Sequence, residues 1–328
     1  MAIKDDSLTM RQIILGSPKY FRPGLKATGK IKIRGKFDGV LICAMGGSAL
    51  PADIFQIWLE AYKIGLPLYI HRNYGIPEMT DKNHLVVCIS YSGNTEETLS
   101  AFEEARAKKL KVAAITSGGK LAQLCEQYGL PAIIIPSDYP PRMATGFLLS
   151  ALMKLLVNCG IIDNGLENIA ALEKSLKPRT LEIQGKNLAK KIKGKLPVVY
   201  ASERLRNLAR IWKIKFNENS KIHSFYNYFP ELNHNEINSY VAPANLHLLI
   251  LKDETDSPQI QKRMDLTKEI LEKRGFPVDI IKIRGKDILY KVFDNLLLSD
   301  WASYYLALEL GHDSIPVKIV EELKKKMR

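Results

Sequence analysis

The sequence predicts an α/β protein with two doubly wound parallel-sheet domains, one a duplicate of the other, and a C-terminal helical segment. Apolar, β-branched runs of strand length alternate with stretches of helical periodicity, which is typical of a parallel sheet covered by helices. The same order of motifs starts again after about 160 residues, which indicates that one α/β unit occurs twice. The chain has 328 residues, enough for two domains of ordinary size.

In the first half of the chain, apolar runs predict five strands, and periodic stretches predict the helices between them. The predicted strands are Gly39–Ala44, Pro67–His71, Leu85–Ser90, Val112–Thr116 and Ala132–Ile135. The predicted helices are Leu50–Ile64, Thr95–Lys108, Lys120–Tyr128 and Met143–Asn158. Because strands and helices alternate at this spacing, we expect the strands to lie parallel in one sheet.

The second half repeats this plan after a lysine-rich stretch. From Leu196, "LPVVYASERLRNLARIWKIKFNEN" has the form of "VLICAMGGSALPADIFQIWLEA" from Val40: a strand, a short polar turn and a helix with a tryptophan. From Asn245, "NLHLLILKDETDSPQIQKRMDLTKEILEKRGFPVDIIKI" likewise matches "HLVVCISYSGNTEETLSAFEEARAKKLKVAAITS" from His84. We therefore predict an N-terminal domain over residues 1–155 and a C-terminal domain, with the terminal helices, over residues 156–328.

Composition and charge are those of a globular protein, with 46% hydrophobic and 25% charged residues. No apolar run is long enough to span a membrane, and the start "MAIKDDSLTM" lacks the apolar core of a signal peptide. The four cysteines are scattered without metal-binding spacing, which predicts reduced thiols and a cytoplasmic location. The net charge is +13, but the lysines are spread along helices rather than gathered in one block, which disfavours nucleic acid as the partner; a small anionic substrate fits the charge equally well.

An anion-binding turn is predicted in the stretch "VVCISYSGNTEETL", which starts at Val86. The apolar strand run ends at Ser90, and a helical pattern follows a group of small polar residues. The first turn of a helix carries unpaired backbone N–H groups and partial positive charge, and the hydroxyls of Ser90, Ser92 and Thr95 add donors. Because Ser, Thr and Asn also cap helices, a plain helix cap is the alternative.

A second small-residue turn follows the first predicted strand, in "CAMGGSALPADI", with Gly46, Gly47 and Ser48. Adjacent glycines allow a ligand to approach the backbone closely, or they only form a tight turn. Neither GxGxxG nor GxxxxGK[ST] occurs there, so no motif supports a dinucleotide or P-loop site. Ligands of open α/β sheets bind at the carboxyl ends of strands near a topological switch, so we expect both turns to hold one phosphate.

The corresponding turn of the second half reads "KDETDS", from Lys252 to Ser257. Its acidic residues would repel a phosphate. The sequence therefore predicts one phosphate per chain, bound by the first half.

The pair "MGGSA" and "SYSGNTEET" resembles the sugar isomerase (SIS) domain, a fold that holds phosphosugars. Further motifs resemble the bifunctional phosphoglucose/phosphomannose isomerases, which have two SIS domains over roughly this length. These motifs are "PPRMATGF" from Pro140, "FNENSK" from Phe216, "ELNHNEI" from Glu231 and the terminal "IVEELKKK". The resemblance implies interconversion of glucose 6-phosphate and mannose 6-phosphate with fructose 6-phosphate, by proton transfer through a cis-enediolate.

The same resemblance implies a catalytic role for three residues. Glu218 in "FNENSK" is the expected base, although the motif alone favours a solvated glutamate near a helix end. His234, in the polar loop "NHNE", matches the ring-opening histidine of the family. Arg142 follows two prolines and matches the arginine that stabilises the enediolate, for which a permanently charged guanidinium is suited.

The family also has a lysine on its last helix, for which Lys324 has the best register. The competing positions are Lys318, Lys325 and Lys326. Family members are homodimers in which the histidine loop reaches the neighbouring subunit, so the resemblance implies that His234 is donated to the partner's active site. We expect no metal ion, since no ligand set such as HExxH is present, and no cofactor, since an internal proton transfer needs none.

Two other functions fit parts of the sequence. A phosphosugar-sensing SIS protein would explain the phosphate site but would leave Glu218, His234 and Arg142 without a role. No helix-turn-helix pattern precedes residue 40, which disfavours a DNA-binding regulator. An isomerase for another sugar phosphate, such as a ketohexose or amino-sugar phosphate, is the third reading.

Overall fold

The computed structural model describes residues 8–327, which form two compact units, each with its own parallel sheet. Unit 1 consists of Gly16–Leu176 and Asp287–Tyr290. Unit 2 consists of Leu8–Leu15, Lys177–Lys286 and residues 291–327. The predicted domain boundary between residues 155 and 156 stays a prediction, because the two units are defined by spatial compactness and not by the sequence repeat.

Unit 1 contains a five-stranded parallel sheet. Its strands are β1 (Gly39–Ala44), β2 (Leu68–His71), β3 (His84–Ile89), β4 (Lys111–Thr116) and β5 (Ala132–Ile134). The strand order is β2-β1-β3-β4-β5, with every neighbouring pair parallel. β1 is buried along its whole length and β3 along all but its first residue, which explains why both read as continuous apolar runs.

Helices cover both faces of this sheet. In chain order after α1 (Met10–Gly16), they are α2 (Phe21–Thr28), α3 (Gly46–Ala61), α4 (Glu96–Ala107), α5 (Gly119–Tyr128), α6 (Thr145–Asn158) and α7 (Leu166–Ser175). Side chains of α4 and α5 pack with alternate residues of β1, β3 and β4 in one core cluster. α3 packs against α6, an apolar helix that is buried nearly throughout. The doubly wound α/β fold predicted for this half is confirmed.

Unit 2 contains a four-stranded parallel sheet. Its strands are β6 (Leu196–Ser202), β7 (Phe225–Phe229), β8 (Leu246–Asp253) and β9 (Val278–Ile283). Their order is β7-β6-β8-β9, which is the order β2-β1-β3-β4 of the first sheet. The two units therefore share one strand order, as the sequence repeat predicts. The edge strand β7 was absent from the prediction, because "FYNYF" is half exposed and lacks an apolar alternation.

The helices of the second half are α8 (Pro178–Ile192), α9 (Arg206–Lys215), α10 (Pro258–Lys273), α11 (Ile288–Glu309) and α12 (Lys318–Lys326). α9 continues into a π-helical turn over Phe216–Ser220. α11 and α12 form the predicted C-terminal helical segment, and none of the described residues of α12 is buried. Within residues 8–327, no helix is both long and apolar enough to cross a membrane.

The start of α3 differs from the prediction. The helix begins at Gly46, whereas the sequence pattern predicts a start at Leu50. Glycines and a serine have no apolar periodicity, so the pattern could not include them. As a result, "GGS" is the first turn of the helix itself, where backbone N–H groups lack intrahelical partners.

Candidate functional site

The sheet of unit 1 brings the two small-residue turns together. β1 and β3 are parallel neighbours whose last residues, Ala44 and Ile89, face each other in register. β2 lies on one side of β1 and β3 on the other, so the strand order reverses at this point. In open α/β sheets such a switch point, at the carboxyl ends of the strands, forms a ligand-binding crevice. Both turns begin at this edge.

A hydrogen bond joins the two turns directly. The backbone N–H of Tyr91 donates to Ser48 Oγ over 2.9 Å, and both residues are buried. Because the serine hydroxyl accepts this bond, its own proton remains to donate to another group. The Tyr91 hydroxyl in turn donates to the carbonyl of Pro136 and accepts from the N–H of Tyr139, both over 3.0 Å. Tyr91 therefore fixes the turn, a role that the sequence did not reveal.

Burial of Tyr91 raises the pKa of its phenol to about 12. The hydroxyl therefore stays protonated at physiological pH and keeps its bond to Pro136.

Arg142 lies against the glycine turn. It belongs to a short 3-10 helix, Pro141–Met143, and its side chain is only 1% exposed. A Cβ atom added to Gly47 would lie 2.4 Å from the backbone nitrogen of Arg142, so only glycine fits this contact. The structure thus places the predicted arginine beside the predicted phosphate turn of the same unit.

The hydroxyl of Thr95 is not used as a helix cap. Thr95 is the N-cap residue of α4, yet its side chain accepts no hydrogen bond from the helix backbone. Instead, the hydroxyl of Ser90 donates to Thr95 Oγ1 over 2.9 Å. At the equivalent point of unit 2, Ser257 does cap α10 by accepting from the N–H of Ile260. This contrast argues against the plain helix cap that the sequence left as an alternative.

The rest of this turn is fixed by Gly93 and Asn94, while Ser92 is exposed. Gly93 has φ of +67°, and a Cβ atom there would lie 1.8 Å from the carbonyl oxygen of Gly118. Asn94 donates from Nδ2 to the Ser92 carbonyl and accepts from the N–H of Lys120, each over 3.0 Å. The exposed Ser92 hydroxyl therefore lies on a backbone that is tied down on both sides.

The structure brings the glycines and hydroxyls of both turns together at one edge of the sheet in unit 1, and we call this arrangement the hydroxyl cradle: Gly46, Gly47, Ser48, Ser90, Ser92 and Thr95. Its hydroxyls lie at the starts of α3 and α4, where the helix dipoles favour an anion. Ser90 is fully buried, so it supports Thr95 rather than facing solvent.

Glu218 lies in unit 2, on the π-helical turn that follows α9, and is half buried. The turn ends at Lys221, which has a positive φ of 60°, and Lys221 Nζ donates to the carbonyl oxygen of Glu218. Asn217 Nδ2 donates to the carbonyl of Ile222 over 2.9 Å and closes the turn. π-helical turns are rare in proteins, and those that occur are often found at functional sites.

His234 is exposed in a loop that a partly buried polar cluster holds in place. The carboxylate of Glu236, two residues further on, accepts from the hydroxyl of Tyr200 and from Asn227 Nδ2. The Tyr200 hydroxyl also contacts that of Tyr240. The pKa values of the Tyr200 and Tyr240 phenols are both raised, mainly by burial, and that of Tyr240 rises to about 12.

Lys324 and the competing lysines lie on α12, and all four are exposed. The structure does not distinguish between them, and the assignment of Lys324 stays a prediction.

In unit 2, the acidic side chains of the turn that corresponds to the hydroxyl cradle form ion pairs with basic side chains of the same unit. Asp253 is fully buried and pairs with Lys291 over 2.7 Å and with Arg204 over 3.0 Å. Arg204 also pairs with Asp256 over 3.0 Å. Burial alone would raise the pKa of Asp253, but hydrogen bonds from Lys291, the N–H of Thr255 and Arg204 bring it below its usual value. Carboxylates thus occupy the region where unit 1 has hydroxyls.

Among residues 8–327, no group of three or more His, Cys, Asp or Glu side chains is arranged to hold a metal ion.

Comparison with known proteins relates both halves of the chain to sugar isomerases. Residues 38–139 match the SIS domain, and residues 182–327 match the bacterial phospho-glucose isomerase C-terminal SIS domain. A bifunctional phosphoglucose/phosphomannose isomerase of Aquifex aeolicus is 36% identical, with 89% of this chain and 91% of that protein covered. One from Caldicellulosiruptor bescii is 37% identical, with 88% and 89% covered.

A solved structure supports the fold. The C-terminal domain of glucosamine-fructose-6-phosphate aminotransferase from Francisella tularensis superimposes with a TM-score of 0.69 at 15% identity. The superposition covers 96% of this chain and 99% of that chain. At this identity the likeness shows the fold alone.

Proposed function

The chain belongs to the family of bifunctional phosphoglucose/phosphomannose isomerases, and on this basis we propose the reaction that it catalyses. It is an aldose–ketose isomerase that interconverts glucose 6-phosphate and fructose 6-phosphate, and mannose 6-phosphate and fructose 6-phosphate. Both reactions move a proton between C2 and C1 through a cis-enediolate, so one set of catalytic groups serves both aldoses.

The likeness over both halves of the chain carries this proposal. A hydroxyl cradle alone would equally fit a phosphosugar sensor. The curated relatives, however, match along about nine-tenths of the chain, which includes the turn of Glu218 and the loop of His234. A sensor would have no use for a half-buried carboxylate on a rigid π-helical turn.

In the proposed reaction, the residues have separate roles. The hydroxyl cradle binds the phosphate group. Glu218 takes the proton from C2 of the open-chain aldose and returns it to C1, while the hydroxyl proton of O2 passes to O1, which gives the ketose without a cofactor. Arg142 stabilises the negative charge that develops on the enediolate oxygen, because a guanidinium stays charged at all relevant pH values. His234 moves the proton that opens the sugar ring, and Lys324 supplies a further positive charge.

A homodimer is part of the proposal. His234 is exposed on a loop whose Glu236 anchor is internal to unit 2, and a ring on such a loop can act on a neighbouring molecule. We therefore assign His234 to the partner's active site. A cytoplasmic location is also proposed, supported by the free thiols of all four cysteines.

Glu218→Gln tests the proposed function. The change keeps the size of the side chain but removes the basic carboxylate, so turnover of fructose 6-phosphate into both aldoses should fall by about 10²–10⁴-fold. Binding of fructose 6-phosphate should change little, because the hydroxyl cradle is untouched. Both products are measured by coupled assays, and Glu203→Gln, at an exposed glutamate of the same unit, is the matched control.

Two results would overturn this assignment. If Glu218→Gln isomerises either sugar at a near wild-type rate, the base is another residue. If the wild-type protein binds fructose 6-phosphate but forms neither aldose, the protein is a sensor or acts on another sugar phosphate.

A further inference from the structure

The turn that carries Glu218 is fastened to α11 by polar side chains that no solvent reaches. Asn219 and Ser220 directly follow Glu218, and both are fully buried. Asn219 Nδ2 donates to the hydroxyl oxygen of Ser303 over 2.9 Å, and the Ser220 hydroxyl donates to the carbonyl of Ser303 over 2.7 Å. One residue of α11 therefore receives two hydrogen bonds from the π-helical turn.

The Ser303 hydroxyl donates to its own helix. Its Oγ lies 2.7 Å from the carbonyl oxygen of Ser299 and 3.2 Å from that of Asp300, both in the preceding turn of α11, so its proton is used within the helix. A hydroxyl has one proton and two lone pairs, and the lone pairs are thereby left facing Asn219. Ser303 thus offers a fixed acceptor rather than a rotating one.

A buried ion pair fastens the other side of the turn. Lys215, the last residue of α9, pairs with Asp300 of α11 over 2.7 Å, and both side chains are almost completely buried. Glu218 therefore lies between two attachments to the same helix, one before it in the chain and one after it.

Stability alone does not explain such an arrangement. Burying polar and charged groups costs free energy, and their hydrogen bonds do little more than offset this cost. Apolar side chains of the same volume commonly stabilise a protein core at least as much. What a fully paired polar cluster adds is a single orientation. Here the polar contacts come directly before and after the proposed base in the chain, and the distance of that base from the transferred proton must be right within a fraction of an ångström.

We propose that Ser303 and Asn219 are positioning residues that hold the Glu218 carboxylate in the geometry for proton transfer. This inference rests on the proposed function. Neither residue is assigned to contact the substrate. Their loss should therefore lower the rate of proton transfer, and leave substrate binding nearly unchanged.

The test compares Ser303→Ala with Ser299→Ala. Both serines are fully buried on α11, but the Ser299 hydroxyl donates only to Leu296 of its own helix. Ser303→Ala should lower kcat about tenfold, with KM within about twofold, and should raise the isotope effect for substrate deuterated at C2. Ser299→Ala should keep kcat and the isotope effect near wild-type values. Melting temperatures show whether both variants are equally folded.

A double variant tests whether the two residues act through their shared hydrogen bond. If they do, Ser303→Ala combined with Asn219→Ala should lose no more kcat than the worse single variant. Losses that multiply, or equal kcat values for the Ser303 and Ser299 variants, would overturn the inference. The proposed function is judged separately by Glu218→Gln: a slow Glu218→Gln with a fully active Ser303→Ala rejects only the positioning role.

Discussion

A threonine and a serine at equivalent helix starts have different uses in this chain. Ser257 caps α10, as such residues usually do, whereas Thr95 at the start of α4 accepts from Ser90 instead. Because the bond from Ser90 occupies a lone pair of Thr95, the threonine proton is left to donate to a ligand. Donors that are oriented before the ligand arrives bind an anion with a smaller entropic cost. Thr95 thus contributes its hydroxyl to the hydroxyl cradle instead of capping α4.

Ser92 is the cradle hydroxyl that is most exposed, and its removal should weaken phosphosugar binding selectively. We expect Ser92→Ala to weaken the binding of fructose 6-phosphate by about 1–3 kcal/mol, the range for a hydrogen bond to a charged group. The dissociation constant is measured by calorimetry. Ser257→Ala is the matched control, since it removes a hydroxyl from the equivalent turn of unit 2 and should lower only stability. An unchanged affinity, or phosphate density at Lys252–Ser257 in a soaked crystal, would contradict the assignment.

At the scale of elements, the position of Arg142 depends on how closely α3 approaches the 3-10 helix Pro141–Met143. Gly47 is in the first turn of α3, and its missing side chain allows the Arg142 backbone to lie against it. The contact joins two motifs that are far apart in the sequence. A methyl group there would have to displace backbone atoms, which are harder to move than a side chain.

Gly47→Ala should therefore damage both stability and catalysis. Overpacking against the Arg142 backbone should lower the free energy of unfolding by about 1–3 kcal/mol and reduce kcat by shifting the guanidinium. Gly65→Ala is the control, because a Cβ atom there meets nothing within 4 Å and the residue has no positive φ. Urea denaturation and steady-state kinetics measure the two effects. A Gly47→Ala variant as stable and active as Gly65→Ala would show that the contact does not matter.

The elements that could be predicted from the sequence are those whose burial leaves a pattern. β1 and β3 are covered on both faces, so their runs are apolar throughout and their limits agree with the prediction within one residue. The exposed edge strand β7 and the glycine-rich first turn of α3 leave no such pattern and could not be predicted.

Within the candidate site, single residues could be predicted but their attachments could not. "SYSGNT" and "FNENSK" mark Ser92 and Glu218 because their residue types are unusual after a strand or a helix. The bonds from Tyr91 to Ser48 and from Asn219 to Ser303 join distant parts of the chain. A buried tyrosine or serine reads as an ordinary core or helix residue, so only the folded structure reveals these partners.

For the whole molecule, the two sheets share one strand order, but the proposed phosphate site lies in only one of the two units. In unit 2, Asp253 and Asp256 are neutralised by Lys291 and Arg204. These cations are already paired within the fold, and the carboxylates beside them would repel a phosphate. One phosphosugar per chain follows, and a dimer would bind two.

Mixing inactive variants tests whether each of those two sites needs both chains. Glu218→Gln and His234→Ala chains are each inactive alone if the proposed roles are right. If His234 acts in the partner's site, each hybrid dimer contains one intact site, formed by Glu218 of one chain and His234 of the other. With equal amounts and random exchange, half of the dimers are hybrids, so about a quarter of the wild-type activity should return.

The converse mixture provides the control, using wild-type chains and chains that carry both substitutions. A hybrid of these has no intact site if His234 acts on the partner, because each site lacks either its base or its histidine. The mixture should then show about a quarter of the activity of wild-type protein at the same total concentration of chains, because only one dimer in four consists of two wild-type chains. If His234 instead acts within its own chain, every wild-type chain stays active. The second mixture would retain about half of the activity and the first would regain none, since no chain in it has both residues.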